Sequence, residues 1–104
     1  MTKVQVHAGA CGFSTVIEVQ AGKKEANFHI ETQCPSVQKL AAELTQGETF
    51  KIAFTKILDN PVFILAGRHL KHPGCPVPAA IIKATEVAAG LAVPKNAEII
   101  FSQK

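Results

Sequence analysis

Residues 3–31 read KVQVHAGACGFSTVIEVQAGKKEANFHIE, and the period of that stretch decides the fold. From Lys3 to Ala8, Val4, Val6 and Ala8 fall on one side, with Gln5 and His7 on the other. Such alternation is the pattern of a half-buried strand, and Gly9 ends it. Thr15, Ile17 and Val19 alternate with Val16, Glu18 and Gln20 to give a second strand. Ala26, Phe28 and Ile30 alternate with Asn27, His29 and Glu31 to give a third. The short polar turn Ala21-Gly22-Lys23-Lys24 joining the last two predicts an antiparallel hairpin.

Past Glu31 the apolar period lengthens. Val37, Leu40, Ala41 and Leu44 form the i, i+3, i+4, i+7 stripe of an amphipathic helix. Pro35 suits its first turn, which makes Cys34 the expected N-cap and Gly47 the expected stop. Between Glu48 and Leu58, Phe50, Phe54 and Leu58 fit a helix, whereas Phe50, Ile52 and Phe54 fit a strand. Ala53 and Ile57 extend the first pattern and tip the reading to helix. Asn60-Pro61 reads as the cap and first turn of a short apolar segment ending near Ala66. A last helix is expected to open at Cys75-Pro76, with Val77, Ala80, Ile81, Ala84, Val87, Ala88 and Leu91 buried. Gly90 and Pro94 bracket its end. Glu98 to Phe101 is expected as a final strand, and Gln103-Lys104 as a disordered tail. The predicted class is α+β: a three-stranded antiparallel sheet followed by helices packed on one face, with a short C-terminal strand.

Composition narrows the function classes. A chain of 104 residues fits a single domain over residues 1–104. With 47% hydrophobic and 18% charged residues, it is not a disordered chain. A net charge of +3, spread along the sequence, is no nucleic-acid footprint, and Trp and Tyr are absent as stacking platforms. The longest apolar run, Val62 to Gly67, is far too short to span a membrane. MTKVQVHAG lacks the charged-then-apolar order of a signal peptide, so a cytoplasmic location is expected.

The three cysteines carry the candidate chemistry. They lie in His7-Ala8-Gly9-Ala10-Cys11-Gly12-Phe13, Thr32-Gln33-Cys34-Pro35 and His69-Leu70-Lys71-His72-Pro73-Gly74-Cys75-Pro76. Each stands beside Gly or Pro where a regular element should start or stop. A free Cys is ordinarily a small buried hydrophobe, but three at element boundaries, one with His nearby, fit a ligand set better. Cys34 and Cys75 are each followed by Pro and a helix. The positive end of the helix dipole there favours the thiolate, the form that binds metal or attacks an electrophile. Imidazole with thiolates suits zinc or an iron–sulfur cluster, so His72 is the expected fourth ligand, with His69 as the less favoured choice. Another use of the same residues is a thiol enzyme, with Cys75 or Cys34 as nucleophile and His72 as base. No orienting carboxylate or oxyanion site is evident for that role. Inert thiols in a structural domain are the plainest reading. His7 and His29 fall on polar strand faces and read as surface residues.

The order of these features resembles the NifU-like iron–sulfur cluster scaffold domain over roughly residues 4 to 91. The matching elements are Cys11 in GACGF, Cys34 in ETQCPSVQKLAAEL and Cys75 in HPGCPVPAAIIKATE. That family has cysteines after its first strand, at the helix start after its third strand, and beside a His before its late helix. The resemblance implies a three-cysteine site that assembles and passes on a cluster, with a cysteine desulfurase or a cluster-recipient protein as partner. Departures are visible too: Gly12 and Phe13 follow Cys11 where the family has an acidic residue, and His72 stands three residues before Cys75 instead of next to it. The chain is also similar to a small prokaryotic three-cysteine family built on the Cys-Gly-Phe and Cys-Pro-Val-Pro elements.

Overall fold

The computed structural model describes residues 1–103. The alternating stretch forms β1 (Thr2–His7), β2 (Ser14–Ala21) and β3 (Glu25–Thr32), paired antiparallel in that order. The register sets Val4 opposite Ile17 and Ile17 opposite Ile30, with Val19 opposite Phe28. Ile17, Val19, Ala26, Phe28 and Val6 are thereby buried on one face. The other face carries Lys3, Glu18 and His29 in one cross-strand row. One face dry and one wet is the antiparallel arrangement the sequence pattern called for.

Four helices follow: α1 (Pro35–Glu43), α2 (Thr49–Phe54), α3 (Pro61–His69) and α4 (Val77–Ala88). α1 packs on β3, and α4 crosses β2 and β1. Val37 and Leu40 of α1, Ile52 of α2, Val62 of α3, and Val77, Ile81 and Ala84 of α4 join the strand residues in one continuous core. The class is α+β. Among the described residues no helix is long and apolar enough to cross a membrane.

Two expectations about the sheet need correction. It has four strands, not three: β4 (Gln46–Glu48) pairs with β3 at its outer edge. Only three residues long, β4 is too short for alternation to reveal it. α1 closes earlier than expected, at cap residue Leu44, so Gly47 lies within β4 and does not stop a helix. Among the described residues there is also no C-terminal strand, because Glu98 to Phe101 has no regular structure and no sheet partner there. The expected disorder of Gln103-Lys104 falls partly outside the described residues, which end at Gln103.

Other boundaries moved by smaller amounts. The expected helix over 48–58 divides into α2 and a 3-10 turn at Ile57–Asp59, and the buried apolar residue is Ile52, which lies outside the expected stripe. Phe50, Phe54, Ile57 and Leu58 instead face solvent, with the two Phe rings stacked at 5.8 Å. α4 ends in a Schellman closure: Leu91 N–H donates to the Glu86 carbonyl at 2.8 Å and Gly90 N–H to the Val87 carbonyl at 3.0 Å. Gly90 takes φ +76°, and Leu91 is left outside the helix and exposed.

Gly47 is where a side chain does not fit. A Cβ there would approach Ile52 Cδ1 at 2.8 Å, with the Phe28 ring next. Gly47→Ala is expected to force Ile52 into another rotamer and to lower stability by about 1 kcal/mol, at the mild end of overpacking. Urea unfolding monitored by circular dichroism would register it as a lower midpoint with an unchanged slope.

Candidate metal centre

Cys11 owes its position to two glycines. Gly9 and Gly12 take φ of +94° and +78°, a region costly for residues with a Cβ. Gly12 N–H donates to the Gly9 carbonyl at 2.9 Å and Ala8 N–H to the Phe13 carbonyl at 3.2 Å. The β1–β2 connection is thus a tight turn with Cys11 exposed at its tip. At its base, His7 Nδ1 and Ser14 Oγ lie 2.9 Å apart.

Cys34 stands at the same end of the sheet, one residue beyond the β3 pairing partner of Thr15 and its neighbour Gln33. Thr32 organises the exit from the strand. Its Oγ1 accepts from Thr15 Oγ1 at 2.9 Å and from Cys34 N–H at 3.1 Å, and its carbonyl accepts from Gln38 Nε2 at 2.9 Å. Cys34 is the N-cap of α1, with Pro35 following, but its thiol makes no capping hydrogen bond. The half-buried side chain packs against the core. Cys11 and Cys34 therefore belong to one end of one sheet.

Cys75 is placed differently from expectation. The N-cap of α4 is Pro76, and Val77 is the first helical residue, so Cys75 lies just ahead of the helix. Cys75 N–H donates to the His72 carbonyl at 3.2 Å, closing a turn over His72-Pro73-Gly74-Cys75. That turn holds a thiol and an imidazole on one four-residue loop. Cys75 is half-buried against the core and His72 is exposed.

His69 is occupied elsewhere. It ends α3, and its Nε2 contacts the Glu43 carboxylate at the end of α1, which Arg68 Nη1 also approaches at 3.8 Å. All three cysteines are free thiols. Among the described residues, no three His, Cys, Asp or Glu side chains stand together as a group able to hold a metal ion. By position the candidates fall into two pairs, Cys11 and Cys34 at one end of the sheet and His72 and Cys75 in one turn. The cleft lined by Glu43, Gly47, Lys51, Ile64 and Arg68 contains none of them.

A family model covers residues 2–101, nearly the whole chain. The chain belongs to DUF6951, a family of unknown function. No curated protein and no solved structure matches it. The DUF6951 region takes in all three cysteines and both histidines of the 69–72 stretch, and it runs past α4 to Phe101.

Sequence reasoning missed the polar residues that hold these loops. Thr32 and Thr15 read as ordinary strand positions, yet their hydroxyl pair fixes the chain just before Cys34. The Glu43–His69 contact joins residues far apart in sequence, and no local signal announces it.

Proposed function

We propose that this protein is a metal- or iron–sulfur-cluster-binding module whose ligands are Cys11, Cys34, Cys75 and His72. The observation that carries the reading is the closed turn from His72 to Cys75, which presents a thiol and an imidazole from one short loop. Support comes also from Cys11 and Cys34 at a single sheet end and from the NifU-like order of the three cysteines. His72 is the preferred fourth ligand because Glu43 already engages His69. In this reading the two pairs close on the ion or cluster as it binds, with the glycine turn around Cys11 as the adaptable part. A cluster would draw its sulfur from a cysteine desulfurase and pass on to a recipient protein; zinc in the same ligands would be structural.

Anaerobic reconstitution with ferrous iron and sulfide is expected to give visible charge-transfer absorption, and Cys34→Ala to abolish it. Colourless protein that retains one equivalent of zinc would assign zinc to the site. Three thiols and an imidazole must lose protons to ligate, so uptake should release protons and weaken on acidification. Metal at a hundredfold excess over Kd should stabilise the fold by about 2.7 kcal/mol. That corresponds to a rise in melting temperature on the order of 10–20 °C for a domain of this size. Identical melts with chelator, zinc and iron would overturn the proposal. The His72–Cys75 turn would then favour a thiol nucleophile with His72 as base, visible as fast alkylation of Cys75 that slows in His72→Ala.

A further inference from the structure

The chain leaves two β-type features without partners. The first is the open edge of β1. β1 ends the sheet order and pairs only with β2. Ala8 and Phe13 form a hydrogen-bonded pair, so the alternation of an antiparallel ladder makes Val6–Thr15 and Val4–Ile17 bonded pairs as well. The N–H and C=O groups of Lys3, Gln5 and His7 then point away from the sheet. This edge spans six residues and contains no proline, and its one lysine is on the wet face, so little blunts it. Val4, on the core face, is only half-buried beneath the edge of α4.

The second feature is the segment after α4. The Schellman closure at Gly90 and the ring of Pro94 lead the chain away from the helix, and residues 94–103 have no regular structure. Ile99, Ile100 and Phe101 are 81%, 79% and 87% exposed, three large apolar side chains in a row. β-branched and aromatic residues are strand formers, and a contiguous exposed run of them marks an interaction surface. The family match includes this run and ends on Phe101.

We propose that the segment Glu98–Phe101 adds as a strand to the β1 edge of a second copy of this chain, in a reciprocal exchange that makes a two-fold dimer. Strand addition supplies backbone hydrogen bonds for affinity and alternate side chains for register. With Ile99 and Phe101 on the core face, they cover Val4 and Val6. Glu98 and Ile100 then lie on the wet face with Lys3 and Gln5, where the carboxylate complements the lysine. A reciprocal exchange is isologous and covers both six-residue β1 edges, leaving as outer edges only the short added segment and the three-residue β4, so assembly stops at two copies. The lone segment is not a strand; it becomes one against the partner.

Light scattering coupled to size exclusion on the full chain is expected to report about twice the 11.1 kDa chain mass. The double variant Ile99→Lys/Phe101→Lys should return the monomer mass with the helical circular dichroism signal unchanged, since both side chains are exposed in the single chain. Ile100→Lys, on the opposite strand face, should remain dimeric, as should Phe54→Lys/Leu58→Lys in the other exposed apolar patch. Alternate amides of the Glu98–Phe101 segment, those facing β1, should be protected from exchange in the dimer and unprotected in the double variant. A monomeric wild type would overturn the proposal. So would a dimer that survives the double variant, one lost equally with Ile100→Lys, or one lost with Phe54→Lys/Leu58→Lys, which would assign the contact to the Phe50–Phe54 patch.

Discussion

Ile81→Asp is expected to leave the chain unfolded at 25 °C. Ile81 is completely buried on α4, in the part of the core where that helix lies on the sheet. An ionised carboxylate at that position would lie inside the hydrophobic core. Its burial without a partner costs several kcal/mol even after relaxation, and the lost isoleucine packing adds a further 2–5 kcal/mol, roughly that of truncation to Ala. A domain of this kind has a total stability of only about 5–15 kcal/mol. Circular dichroism should show the helical signal lost without denaturant. Two controls separate the charge from the position. Ile81→Val should cost only about 0.5–1.5 kcal/mol. Ile99→Asp carries the same new charge on a residue exposed in the single chain and should leave the helical signal unchanged. A cooperative melt for Ile81→Asp close to the wild-type temperature would mean that α4 is not held to the sheet by this stripe.

That contrast between two isoleucines shows what the sequence could and could not reveal. Period-2 alternation over residues 2–32 is dense enough to fix three strands and their inner face, since any register slip would turn Ile17 and Phe28 to water. The stripe of Val77, Ile81 and Ala84 likewise identified the inner face of α4. Glu98 to Phe101 has the composition of a strand, but composition does not provide a pairing partner, and the single chain provides none. β4 fails in the opposite way: its pairing is tertiary, set by β3 and by the turn after α1, and Gln46-Gly47-Glu48 has no strand propensity to announce it. At the candidate metal centre, the residue types and the Gly and Pro punctuation located the loops. Distances between those loops depend on how α1 and α4 dock, which is not a local property. This is why candidate residues could be named from the sequence, whereas their placement, two at one sheet end and two in one turn, required the fold.

Asn60→Ala is the other substitution expected to act strongly, and it does so through hydrogen bonds alone. The sequence pointed to Asn60 as a helix cap, and its Oδ1 does accept from Val62 N–H at 3.0 Å at the start of α3. The structure adds a second role. Nδ2 donates to the Ile52 carbonyl at 2.9 Å and to the Thr55 carbonyl at 3.0 Å, tying the end of α2 to the start of α3. The side chain is almost fully buried, so water cannot take over these bonds. Loss of an N-cap costs about 0.5–2 kcal/mol, and each buried group left without a partner about 1–3 kcal/mol. With relaxation recovering part of the total, Asn60→Ala should destabilise the chain by roughly 2–4 kcal/mol. Asn60→Asp separates the two roles. It keeps the acceptor for Val62 but sets a carboxylate against two carbonyl oxygens, which with burial raises the carboxyl pKa in the folded state. The raised pKa fixes the sign: stability is retained below the unfolded carboxyl pKa and lost as pH rises through the folded one. Asn60→Asp should therefore gain stability relative to wild type on acidification, whereas the deficit of Asn60→Ala should not depend on that carboxyl. Urea titrations of both variants at acid and neutral pH would test this; an Asn60→Asp deficit that does not change with pH would show that the carboxyl is not held against the Ile52 and Thr55 carbonyls.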